Sequence, residues 1–211
     1  MVRRKTGGLK MEGRKKEELK MQGLETVGRK KEMVPVEPEF PGTEPERARF
    51  RYDNAAVRRR DRLLDEEAAR KLLRRGEYGV LSMVDEEGGG YGIPLSYVWD
   101  GTEHIYVHCA PEGRKLRCLD LRPEVSFCVV GETRVCPSKF TTAYESIVVR
   151  ARAVRGLADE ERWRALRLLL EKYAPADCET GMHYAGKSFA RTEILRLEIL
   201  SVSGKCKIVK C

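Results

Sequence analysis

From Asp65 onward the apolar residues fall into short runs, and the period of each run predicts its element. Ala68, Ala69, Leu72 and Leu73 share one face at helical spacing. Asp65 stands at the N-cap, Glu66 and Glu67 follow in the first turn, and Arg74, Arg75 and Gly76 form a basic, glycine-closed end, so a short amphipathic helix is expected. YGVLSMV (78–84), YGIPLSYVW (91–99) and HIYVHCA (104–110) are β-rich and separated by the turns DEEGGG and DGTE, which is the spacing of an antiparallel meander. Pro94 interrupts the second run and places it at a bulge or a sheet edge, because proline cannot donate to a ladder.

A loop then leads into a short helix over 114–121 that must stop before Pro123. Two further strands are expected at 124–130 and, after a longer loop, at 145–156. Asp159 is expected to cap a helix whose Trp163, Leu166, Leu169, Leu170 and Tyr173 recur at spacings of three and four, so that helix must pack on something. A last strand follows at 192–200. The sum is a mainly β, α+β domain of six antiparallel strands with a few flanking helices, a number that commonly closes into a small barrel.

The first fifty residues lack such periodicity and end in VPVEPEFPGTEPE. They cannot bury enough apolar surface to offset ordering entropy, so a flexible charged extension is expected over 1–50, with a transient helix near Arg14 to Gln22. Met11, Met21 and Met33 also leave room for a later translational start. The remaining organisation is a domain over 51–207 and a short tail at 208–211.

Charge and cysteine usage narrow the function classes. The net charge is +8 over 211 residues, but residues 1–47 hold twelve Lys/Arg against nine Asp/Glu, and the remainder mixes both signs. A solvated surface explains this better than a nucleic-acid interface, which needs clustered cations. With no apolar run near the roughly 20 residues of a membrane span, a cytoplasmic protein without membrane association is expected. Seven scattered cysteines without a CxxC pair suggest reduced thiols, not a disulfide framework. His104 and His108 share a strand face but lie roughly 13 Å apart at about 3.3 Å per residue, too far to share a metal, so no metal site is expected.

The stretches RRRDRLLDEE, GEYGVLSMVDEEG, YGIPLSYVWD, IYVHCAPEGRKL, EVSFCVVGET, KFTTAYESIVVRARA and LEILSVSGK, in this order, resemble the FMN-binding split-barrel superfamily of pyridoxamine 5'-phosphate oxidases. Within it, the nitroimidazole-resistance type of flavin-nucleotide-binding protein is the nearest likeness, over about residues 58–207. The resemblance implies a six-stranded split barrel and a homodimer with FMN at the subunit interface. It also implies NAD(P)H as a transient electron donor and a small acceptor such as a nitroaromatic. The C-terminal arginine- and tryptophan-containing signature that grips a pyridoxal substrate is not evident in TEILRLEILSVSGKCKIVKC, which disfavours vitamin B6 oxidation. A flavin-, haem- or deazaflavin-binding protein without turnover is the alternative, and a nucleic-acid-associated protein a third reading.

Residues carry these expectations unequally. Gly113, Arg114 and Lys115 open a helix, where backbone amides and a flanking cation suit a flavin phosphate; in close relatives the Arg114 position is often histidine. Strand alternation places Ile105, Val107 and Cys109 on one side and Tyr106 and His108 on the other. The resemblance puts His108 beside the flavin as the candidate catalytic residue, with Ala110 following it. Neighbours in a strand face opposite sides, so Cys109 and His108 are not expected to form a thiol–imidazole dyad. Ser82, Pro94 and Ser96 resemble residues that line the flavin site, and Tyr144 and Ser146 resemble contacts to the cofactor of the other subunit.

Overall fold

The computed structural model describes residues 50–210, and the expected N-terminal extension lies outside them. Eight strands and four helices follow in chain order. They are β1 (Arg51–Tyr52), α1 (Glu66–Arg75), β2 (Tyr78–Val84), β3 (Gly90–Ser96), β4 (Val98–Trp99), β5 (His104–Cys109), α2 (Arg114–Leu121), β6 (Glu124–Cys136), β7 (Thr141–Val154), α3 (Asp159–Tyr173), α4 (Cys178–Ser188) and β8 (Glu193–Lys207).

One sheet runs in the order β3-β2-β6-β7-β8-β5-β4, with β1 added in parallel on β8. All other pairings are antiparallel. The first and last strands of that path, β3 and β4, are separated only by Tyr97, so a single bent run pairs with β2 at one end and with β5 at the other. That corner brings the two edges of the sheet together as a barrel. Tyr97 is fully buried there, its hydroxyl donates to the Leu73 carbonyl at 2.7 Å, and its ring meets Phe127 edge-on at 5.0 Å.

The strand count of eight corrects the expected six. The 91–99 run splits at Tyr97, and the pair Arg51–Tyr52 was not legible as a strand. The expected long loop between the fourth and fifth strands is instead a continuation of the β6–β7 hairpin, with a bulge between Val130 and Thr133 and a tight end where Phe140 is left-handed at φ 48°. Pro94 lies on β3, at one end of the strand order, as its missing donor requires.

The helix ends follow the capping rules in part. The Asp65 carboxylate accepts from the Ala68 amide at 2.8 Å, and the Gly76 amide closes α1 on the Leu72 carbonyl at 2.9 Å. At α3 the N-cap is Ala158 and not Asp159, which pairs instead with Arg162 at 2.7 Å in the first turn. Leu81, Phe127, Ile147, Val149, Leu195 and Leu197 fill the barrel with Leu72 and Leu73 of α1. On the outside, α3 buries Ala165, Leu166 and Leu169 against Val98, Tyr106 and Ile194. Two layers on β5 explain why Ile105, Tyr106 and Val107 are buried in succession.

Among the described residues Cys109, Cys118, Cys128, Cys178 and Cys206 are free thiols. Cys136 is disulfide-bonded, an exception to the reduced-thiol expectation. No described helix is long and apolar enough to cross a membrane, and no described cluster of His, Cys, Asp or Glu has the makings of a metal site.

Candidate functional site

Gly113 sets up the start of α2. Its φ of 129° lies where only glycine is comfortable, and it turns the chain out of the loop after β5 into the helix. No side chain caps this helix, and a Cβ at Gly113 would meet nothing within 4 Å, so the first turn opens onto free space. Lys115 in that turn is half-buried and has no ion-pair partner among the described residues. An uncapped N-terminus with an uncommitted ammonium is a favourable seat for an anion.

Arg114 is engaged differently. Its guanidinium donates to the Asp85 carboxylate at 2.7 Å and lies 4.5 Å from the centre of the Tyr91 ring. Asp85 is buried at the end of β2 and also accepts from the Gly89 amide at 2.6 Å and the Glu87 amide at 3.1 Å. Arg117 pairs with Glu86 at 2.8 Å, and Arg122 donates to the Asp85 carbonyl at 3.0 Å. Three arginines of α2 and its C-cap thus strap the β2–β3 turn to the helix. Asp85 and Tyr91 are absent from the sequence-level site; a DEEGGG turn announces a bend but not its partner 29 residues away.

His108, one residue before the end of β5, lies on the face opposite Ile105 and Val107, as alternation requires, and its side chain reaches solvent. Desolvation by the surrounding protein, and then the Lys115 ammonium, hold its imidazole below the ordinary value of 6.5. Near neutrality it is therefore uncharged, with one nitrogen able to accept and the other to donate. Cys109 lies on the other side of the strand, so no thiol–imidazole pair forms. Ala110 is exposed between His108 and the helix.

Strand register places the remaining residues on the outer face of the barrel. One cross-strand row reads Pro94, Val80, Cys128, Val148 and Ser203, and the next reads Gly92, Ser82, Ser126, Arg150 and Ser201. Ser146 pairs with Val130 on the same face, and Tyr144 with Thr133 beyond the bulge. Gly90 and Gly92 carry no side chain here, so the β3 end of the face is flat and open. Val130 and Val148 are 52% and 41% exposed, leaving apolar surface uncovered. Ser96 stands apart: it pairs with Tyr78 at the far end of the β2–β3 hairpin from Asp85, roughly 20 Å away at about 3.3 Å per residue.

A closed antiparallel sheet with an open helix start and a flat, small-residue outer face is the architecture of a split-barrel cofactor protein. Residues 65–206 match the family described as Pyridoxamine 5'-phosphate oxidase, and the chain belongs to this family of flavin-binding split barrels. No curated protein sequence matches it.

Solved structures share the fold. A candidate 5-nitroimidazole antibiotic resistance protein from Bacteroides thetaiotaomicron aligns with a TM-score of 0.56 and 17% identity, covering 69% of this chain and 86% of that one. A FAD-binding protein from Mesorhizobium loti aligns at 0.52 and 24% identity over 70% and 98% of the two chains. A FAD- and heme-binding protein from Mycobacterium smegmatis gives 0.58 and 18% over 70% and 74%.

Proposed function

We propose that the protein binds FMN and uses it as an NAD(P)H-dependent reductase of small oxidised acceptors, with nitroaromatics as the class to test first. The carrying observation is the pairing of an open α2 start that no side chain caps with a Lys115 that has no ion-pair partner among the described residues, beside a His108 held toward its neutral form. The residues fit the group. Lys115 and the first amides of α2 would hold the phosphate, and Arg114 keeps N–H donors beyond the one given to Asp85. Gly90, Gly92, Ser82 and Pro94 would offer a flat, small-residue surface to a planar ring.

A bound flavin supplies hydride and single-electron chemistry, and the protein supplies binding, orientation and electrostatics. His108, kept neutral, would accept or donate a hydrogen bond to an acceptor substrate without adding charge beside it. The neighbours that carry flavin and nitroimidazole-resistance names support this reading. The uncovered Val130 and Val148 support a homodimer, in which Tyr144 and Ser146 would approach the partner's cofactor. A cytoplasmic location is proposed with it.

Purified protein should be yellow, with an absorbance band near about 450 nm that NAD(P)H bleaches without oxygen. Lys115→Ala should lower flavin content, whereas His108→Ala should keep it and slow turnover. Flavin that binds but never bleaches would leave a cofactor-binding protein without turnover, and protein that takes up no FMN would end the proposal.

A further inference from the structure

At the other end of the β2–β3 hairpin lies a cleft of about 690 Å³, whose lining includes Ser96, the flavin-site candidate that stands apart from the α2 start. Three cations line it, Arg74 and Arg75 from the last turn of α1 and Lys172 from α3, against one carboxylate, Glu77. Arg75 is paired with Glu145, but Arg74 and Lys172 have no ion-pair partner among the described residues.

Lys172 is built into the wall. Its ammonium donates to the Gly76 carbonyl at 2.7 Å and the Tyr97 carbonyl at 2.9 Å, and it lies 3.8 Å from the centre of the Tyr97 ring. Two of its three N–H bonds go to carbonyls and the ring takes none of its charge, so no anion neutralises it among the described residues. Burial lowers its pKa to about 8, the response of a cation held without a counter-charge. Tyr78, 57% exposed, adds an aromatic face at the rim.

We propose that this cleft is a second anion site, which takes a phosphorylated small molecule with its phosphate on Arg74 and Lys172 and its organic part against the Tyr78 ring. An incoming phosphate supplies the counter-charge that two cations lack. The distance along the hairpin separates this site from the α2 start, so both can be filled at once.

The test is lysine footprinting of the flavin-loaded full chain with acetic anhydride, read by mass spectrometry. Pyrophosphate should slow acetylation of Lys172 severalfold and leave Lys71, on the exposed face of α1, unchanged. Arg74→Glu, a surface change that spares the core, should abolish that protection. Adenosine monophosphate should protect at roughly tenfold lower concentration than inorganic phosphate, the scale of one ring stacking on an aromatic side chain, and Tyr78→Ala should remove the difference.

No protection of Lys172 by pyrophosphate at about 10 mM, or protection that survives Arg74→Glu, would overturn the site. Comparison of flavin-loaded with flavin-stripped protein should show that FMN protects Lys115 and spares Lys172. Protection of Lys172 by FMN would merge the two sites and overturn this proposal, whereas failure to protect Lys115 would count against the flavin seat alone.

Discussion

The Arg114 guanidinium sits between the Asp85 carboxylate, at 2.7 Å, and the Tyr91 ring, at 4.5 Å, tying the start of α2 to the first hairpin. The amide of Gly89 first, and Arg114 after it, hold the Asp85 carboxyl below its ordinary value of 3.8. A depressed carboxyl contributes stability that is present above 3.8 and lost as pH falls through its lower native value. Asp85→Asn keeps an acceptor for the turn amides and loses the charge, and Asp85→Ala loses both. Thermal unfolding at pH 7 should therefore rank wild type above Asn and Asn above Ala, and the wild-type advantage over Asn should shrink below about pH 4. Equal melting temperatures for all three would show that the strap carries no weight.

Gly113 offers a cleaner separation of strain from sterics. A methyl group would meet nothing within 4 Å, so the cost of Gly113→Ala comes from its φ of 129° alone. The penalty should be about 1–3 kcal/mol in denaturant unfolding, with loss of flavin content as the first turn of α2 reorients. Gly90→Ala is the counterpart, at ordinary φ and also in open space. It should leave stability within about 0.5 kcal/mol but weaken flavin binding, because it roughens the flat face. Unchanged flavin affinity in both variants would move the ring elsewhere.

The local features of this fold were largely readable, and the non-local ones were not. Asp65 and Gly76 bound α1 as read, Pro94 sits on an edge strand, and α2 spans Arg114–Leu121 because Pro123 stops it. The outer half of the β6–β7 hairpin was hidden, since the bulge after Val130 breaks the alternation on which strand reading depends. α4 was hidden by Gly181 and Gly186 in its sequence. Of the site, the helix start and His108 were legible as local patterns. Asp85 and Lys172 were not, because each owes its role to residues 29 or more positions away, a turn carboxylate meeting α2 and a helical lysine meeting the barrel corner.

His108 predicts a second pH dependence, of opposite origin. Desolvation and Lys115 favour its neutral form in the folded chain, so protons bind the unfolded chain more readily just below 6.5. Stability should fall as pH drops from 6.5 toward the lower native value, and His108→Gln should remove that component. Lys115→Ala relieves one of the two causes and should move the imidazole titration upward, as read from its proton resonances. A His108 titration at or above 6.5 in the wild type would contradict both expectations.

The outer face makes the last prediction. Val130 on β6 and Val148 on β7, which pairs with Cys128, leave an exposed apolar patch on two central strands, and burying such a patch against a second copy would remove it from water. Val148→Glu adds one charge to a position that is 41% exposed in the single chain, so the isolated barrel should tolerate it within about 0.5 kcal/mol. At a dimer interface the same carboxylate would be desolvated without a partner, which costs far more. Light scattering should therefore show a dimer for the wild type and a monomer for Val148→Glu, with the far-UV spectrum unchanged. Flavin content should fall with the dimer, because Tyr144 and Ser146 then lack a cofactor across the interface. A variant that stays dimeric and fully flavinated would place the interface on another surface.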